Sequence, residues 1–187
     1  MGIPTLIKTL TASGSASLEF VDGASDVTLD STYDEYMFVF TDINPATDAA
    51  DFTFQVNATD GADYNDSAIT STVFRAYHRE NDNNASLDYV TGEDQAQGTA
   101  FQILASAIGN DADQSCAGEL HLFNPASTTY VKHFYARMSR YFPSGSGDGA
   151  GDHFAAGYIN DTTAIDDIQF KFSSGNFDGV IQMYGIS

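Results

Sequence analysis

One cysteine, no tryptophan, four prolines and seven cationic side chains are spread over 187 residues, and each shortage removes a possibility. Cys116 has no second cysteine to pair with, so a disulfide scaffold is excluded and the residue reads as a small buried filler. No run reaches the roughly 18 apolar residues that a membrane-spanning helix needs. The opening Met1-Gly-Ile-Pro-Thr-Leu-Ile7 is too short, and too soon followed by polar residues, to be a secretory signal. The expectation is a protein made in a cytoplasm that reaches its destination by assembly or lysis. Heptads and internal repeats are also missing, which argues against a coiled-coil or repeat-built shaft.

The scarcity of cations has a counterpart. Seven Lys and Arg face 26 Asp and Glu, for a formal net charge of -19, and 21 of the 26 acids are Asp, a residue of turns and loop tips. Such a surface repels nucleic-acid phosphate and anionic lipid, so neither nucleic acid nor membrane is an expected partner. The ordinary reading of the Asp excess is solubility, with calcium as the sharper rival. No Asp cluster has the regular spacing of a known calcium loop, so no metal or cofactor is expected.

What the chain does contain is strand-forming sequence. Its composition is 13% aromatic, all Phe and Tyr, and 42% hydrophobic, enough for one core and one domain spanning residues 1–187. The densest stretch is Tyr33 to Pro45. Tyr36, Phe38 and Phe40 fall on one side of an extended chain and Met37 and Val39 on the other, which predicts a central strand covered on both faces. Further strands are expected at Ile3 to Thr11 and Ser15 to Val21, joined as a hairpin through Ala12-Ser-Gly14, and at Val27 to Leu29 as a short strand or edge. Asp51 to Asn57 alternates Phe52, Phe54, Val56 against Thr53, Gln55 and predicts a strand with one wet face.

A polar loop with Asp60-Gly61 follows. Ile69 to Glu80 then sets Val73, Arg75, Tyr77 and Arg79 against Phe74, Ala76 and His78, and Leu87 to Val90 comes after a turn. Residues 97–109 fit both a helix and a strand period, with strand preferred. Glu119 to Phe123 and Tyr130 to Met138 form the clearest hairpin. Pro143 to Asp152 reads as a mobile glycine-rich loop. His153 to Ile159, Ala164 to Phe172 and Gly179 to Ile186 complete a set of about ten short strands. The fold class is all-β, a single antiparallel sandwich of jelly-roll type, with residues 1–11 as its edge strand or an arm.

Little in the sequence is shaped for catalysis. The five glutamates show no paired spacing suited to glycoside hydrolysis, and no nucleophile elbow, phosphate loop or zinc-protease helix is present. If the second hairpin is centred on Ser127, His121 and His133 become cross-strand neighbours and Glu119 faces Tyr135. Two histidines without further ligands read as a hydrogen-bonded pair before they read as a metal site. Tyr77, Tyr89, Tyr130 and Tyr135 are candidates to offer a ring to a sugar. The apolar stretch with Ile3, Leu6, Ile7 and a lone cation at Lys8 is a candidate attachment segment, docking by strand addition.

Six segments stand out: Leu29-Asp-Ser-Thr-Tyr-Asp-Glu-Tyr36, Phe40-Thr-Asp-Ile-Asn-Pro-Ala-Thr-Asp48, Phe74-Arg-Ala-Tyr-His78, Leu120 through Phe134, Ala164 through Asn176 and Met183-Tyr-Gly-Ile186. Through them the chain resembles a family of virion structural proteins of tailed phages of marine bacteria, cyanophages among them. The resemblance covers nearly the whole chain and is weakest at Pro143 to Asp152. It implies a non-enzymatic particle component and carries over no catalytic residue. The expectation is a capsid decoration or cement protein, working as a homo-oligomer such as a trimer against the major capsid protein. A fibre tip or carbohydrate-binding module is the alternative.

Overall fold

The computed structural model describes residues 2–59, 61 and 63–187. Among them there is no helix. In chain order the strands are β1 (Thr5–Ser15), β2 (Leu18–Val21), β3 (Glu35–Pro45), β4 (Ala50–Ala58), β5 (Ile69–Arg79), β6 (Ala85–Tyr89) and β7 (Ala96–Gly98). They continue as β8 (Gln102–Ile108), β9 (Cys116–Phe123), β10 (Lys132–Phe142), β11 (Gly149–Ile159), β12 (Ile165–Phe172) and β13 (Phe177–Ile186). The expected antiparallel sandwich is what these strands build, from two unequal sheets. One has the order β1-β13-β3-β9-β10-β11-β5-β6, with β7 also on β5; the other is β2-β12-β4-β8.

The core between the sheets is aromatic. Tyr36, Phe38 and Phe40 of β3 point inward as the alternation predicts and are closed to water. Phe170 of β12 lies at the centre, its ring 5.3 Å from Phe38, 5.2 Å from Phe40, 6.1 Å from Phe52 and 6.4 Å from Phe54. Burying one such ring is worth about 1.5–3 kcal/mol, and edge-to-face contacts add to it. A sheet of this breadth therefore has one strongly apolar zone to which both layers are pinned.

Several expectations are corrected. Ile3 to Val21 is not a hairpin: Ala12-Ser-Gly14 lies within β1, which pairs with β13, while β2 pairs with β12 in the other sheet. The chain steps between layers at Ser15 to Leu18 because Ala12 and Phe20 belong to the same core from opposite sides. Val27 to Leu29 is no strand, yet Val27 and Leu29 are buried and the Leu29 N–H donates to Asp22 at 2.8 Å.

The second face of β3 is not covered. Met37 is flanked across the ladder by His121 and Tyr184, and Val39 by Glu119 and Gln182, so their side of the sheet is polar and half-open. The supposedly wet face of β4 is the reverse case. Gln55 is fully buried, its Nε2 donating to the carbonyls of Ser67, Thr99 and Ala100, which draws two loops over the small sheet. Asp60 of the expected Asp60-Gly61 turn lies outside the described residues. Residues 102–108 are strand, as preferred.

The last four residues of the expected glycine-rich loop are ladder: Gly149 to Asp152 pairs with both β10 and β5. The β9–β10 hairpin has the expected strands in a different register, with His121 opposite Tyr135 and Glu119 opposite Arg137. A shift of two residues leaves every side chain on its own face, so the loop decides. Lys132 at the foot of β10 is buried with its Nζ on the carbonyls of Asp161 and Thr163, which holds Tyr130 and Val131 out of the ladder.

Candidate functional site

The larger sheet outreaches the smaller one. Strand β8 forms the rim of the small sheet and lies against β10 and β11, while β5 and β6 continue beyond. The alternation of β5 shows where cover stops: Ile69, Ser71 and Val73 are buried on its inner side, and Arg75, Tyr77 and Arg79, next on that side, are half-open.

The ladders place partners for each of these residues. Across β11, Gly151 stands between Tyr77 and Arg140, and Gly149 between Arg79 and Phe142; one step inward, His153 stands between Arg75 and Met138. Two rows of large side chains on β5 and β10 thus flank a strip of glycine on β11. With neighbouring strands about 4.8 Å apart, the rows are about 10 Å from each other, backbone to backbone. The glycines leave room for the Phe142 ring and the Arg140 side chain, which lie over the strip. A Cβ at Gly149 would come within 2.7 Å of the Phe142 ring and 2.5 Å of the His78 carbonyl, and one at Gly151 within 3.1 Å of Arg140 Nε.

The resulting trough has a volume of about 280 Å³ and is lined by Arg75, Tyr77, Arg79, Asp88, Arg140, Phe142, Pro143 and Ser144. Three of the chain's four arginines therefore meet in one hollow of a protein with a net charge of -19. Arg140 is only 6% exposed; it donates to the Ala107 carbonyl at 3.0 Å and packs its guanidinium 4.9 Å from the Phe142 ring centre. The Nε of each of the three arginines has no hydrogen-bond partner. Burial, and then repulsion from Arg75, pull the Arg140 pKa down to about 10.

Beneath the trough lies a polar layer. Arg75 is 3.4 Å from Glu93 Oε1, His153 Nε2 is 3.3 Å from Glu93 Oε2, and Ser106 Oγ is 3.3 Å from the same imidazole nitrogen. Burial pushes the Glu93 pKa up, but hydrogen bonds from His153 and Ser106 and the charge of Arg75 outweigh it and the net shift is downward. Burial lowers the His153 pKa, opposed by Glu93 and reinforced by Arg140 and Arg75. An acid and a base are thus in contact, yet the imidazole side chain has no exposed surface on which to meet a substrate.

The tyrosines singled out from sequence do not form one platform. Tyr77 lines the trough, whereas Tyr89 and Tyr135 project from the opposite, outer face of the same sheet and Tyr130 stands 71% exposed in the β9–β10 loop. That outer face carries a row across the ladder: Tyr89, Phe74, Phe154 and Arg137, with the Phe74 and Phe154 rings stacked at 5.0 Å. His121 stacks on Tyr135 at 4.5 Å, bonds Glu35 through Nδ1 and faces Glu119 at 3.7 Å. His133 is elsewhere, opposite Tyr158. Among the described residues no group of three or more His, Cys, Asp or Glu is arranged to hold a metal ion.

Of the N-terminal candidates, Ile3 is 88% exposed ahead of β1, and Leu6 is an exposed edge-strand residue. Ile7 packs on the core and Lys8 Nζ donates to the Ser25 carbonyl at 2.6 Å. The sequence reading missed Glu93, Arg140 and the trough. The signal was partly there, in the run Arg75, Tyr77, Arg79 on one face of a strand that should otherwise have been apolar.

Comparison with known proteins finds no matching family model, no similar curated protein and no similar solved structure.

Proposed function

We propose that this chain is a non-enzymatic structural protein of a phage particle, a capsid decoration protein on the outer head surface that works as a homo-oligomer. The segment resemblances suggest the particle, and one observation supports binding over chemistry. Three of the chain's seven cations line one trough, and the imidazole of the acid–base pair below it is sealed from solvent. A hollow of that kind holds a group in place and does not process it. Elsewhere the strongly acidic surface keeps neighbouring copies from sticking at the high local concentration of a particle shell.

A second reading, a fibre tip or carbohydrate-binding module, is favoured by the exposed aromatic row on the outer face. Quantitative mass spectrometry of purified particles separates the two. Hundreds of copies per particle are expected for decoration, a few dozen would favour the fibre tip, and absence from the particle would overturn both.

A further inference from the structure

We propose that the trough between β5 and β10 is a subsite for an acidic sugar, one pyranose unit carrying a carboxylate, held by Arg79 and Arg140 with Asp88 on its hydroxyl groups. The inference rests on the reading of the trough as a binding site and adds the chemistry of what it takes.

Charge is the first argument. Glu93 is committed to Arg75 and His153 from below, while the Arg79 guanidinium has no hydrogen bond or ion pair with any described residue and the Arg140 guanidinium has only a backbone carbonyl and the face of Phe142. In a chain with 26 acids, a guanidinium left without a carboxylate beside a second, buried one is a place prepared for an external anion. The planar fork of an arginine matches a carboxylate in bidentate fashion.

The remaining lining decides which anion. Asp88 opens into the same hollow, opposite Arg75 across the β5–β6 ladder, with one oxygen accepting from Ser86 at 2.6 Å. A carboxylate at that point opposes a phosphate dianion and still has lone pairs for hydroxyl donors. Tyr77 and Phe142, their rings perpendicular and 5.9 Å apart, meet edge to face across the glycine strip and supply apolar surface to the lining. The volume of about 280 Å³ is below the 300–1,000 Å³ typical of drug-sized ligands, so the hollow suits one ring. A monosaccharide with one carboxylate and several hydroxyls satisfies each of these features; a bare anion uses only the first.

Calorimetry on the full chain with the methyl glycosides of glucuronate and galacturonate tests the assignment, with methyl glucoside, inorganic phosphate and free glutamate as comparison ligands. At least one uronate is expected to bind, and each comparison ligand to bind about tenfold more weakly or not at all. Arg79→Gln, at a half-open position, is expected to weaken uronate binding about tenfold or more at an unchanged melting temperature, the scale of one lost charge-assisted pair. Asp88→Asn is expected to narrow the preference for uronate over phosphate. Uronate binding no tighter than the neutral glucoside overturns the proposal, as does an Arg79→Gln variant that binds normally. Glutamate binding as tightly as uronate would make the trough a dock for acidic protein side chains and overturn the sugar assignment. Copy number on the particle is independent of all these results, so the two readings fail separately.

Discussion

His153 Nε2 and Glu93 Oε2 face each other at 3.3 Å under the arginine trough, with the imidazole closed to solvent and Arg75 and Arg140 packed around it. A histidine whose folded pKa lies below its ordinary 6.5 takes up its proton later, as pH falls, than it does in the unfolded chain. The stability it contributes is present above that ordinary value and is lost as pH falls from there through the folded pKa. Glu93, also shifted down, loses its contribution lower, beneath its ordinary 4.5. The urea midpoint is therefore expected to fall between about pH 7.5 and about pH 5, with a shallower fall in His153→Gln. Equal slopes in the two proteins would assign the pH dependence to other groups.

The two faces of β3 should differ sharply in what they contribute. Phe38 has no exposed surface and its ring sits 5.4 Å from Phe20 and 5.3 Å from Phe170, so Phe38→Ala is expected to cost about 3–5 kcal/mol. Val39 is half-open beside Glu119 and Gln182, and Val39→Ala is expected to cost less than about 1 kcal/mol. Chemical denaturation of both variants checks the pair. Similar losses would mean that the outer face of the large sheet is covered after all.

The contrast shows which parts of this protein are legible in its sequence. Alternation identifies strands and picks out Phe38 and Phe170 because a pleated chain must sort its side chains onto two faces. It says nothing about whether a second layer lies over a given face. Met37 and Val39 are apolar enough to be covered and are not; Gln55 is polar enough to be wet and is buried. Nor does alternation give register between strands, so Tyr135 rather than His133 meets His121. The trough was hidden for a further reason. It needs Arg75 and Arg79 on β5, Arg140 on β10 and glycines on β11 brought side by side by ladder pairing, and its glycines sit in a segment whose composition imitates a loop.

Gln55 ties two loops to the back of β4 through one amide. With its Nε2 bonded to three carbonyls and its Oε1 accepting from the Val56 N–H at 2.9 Å, Gln55→Leu keeps the size of the side chain but leaves buried backbone groups unpaired. The expected loss is about 2 kcal/mol or more. Hydrogen exchange should rise in the segments around Ser67 and Ala100 before it rises in β12. A variant as stable as the parent would show that those carbonyls are satisfied by other donors.

Cys116 is 1% exposed, and burial pushes its thiol pKa far upward. Because the thiolate is the reactive form, the native protein is expected to resist a thiol reagent and to react fully once denatured. Rapid labelling under native conditions would mean that β9 opens locally at its start.

The N-terminal edge carries the last expectation. Strand β1 pairs with β13 on one side only, from Thr5 onward, and two large apolar residues, Ile3 and Leu6, stand exposed along that open edge. An open strand edge with apolar side chains is a template for pairing with another chain, and natural proteins usually blunt it with charge. Here the nearest charge, Lys8, is turned to the Ser25 carbonyl of its own chain. The double substitution Ile3→Lys and Leu6→Lys is expected to leave the melting temperature within about 2 °C of the parent, since surface changes of this kind usually stay within about 0.5 kcal/mol. If the chain is the homo-oligomeric head decoration proposed above, the same change should also abolish self-association in sedimentation and the binding of purified protein to heads that lack it. Loss of both with the fold intact assigns the edge as the contact between copies and with the shell. Unchanged association returns Ile3 and Leu6 to an ordinary exposed edge, and attachment then falls to another face of the sandwich.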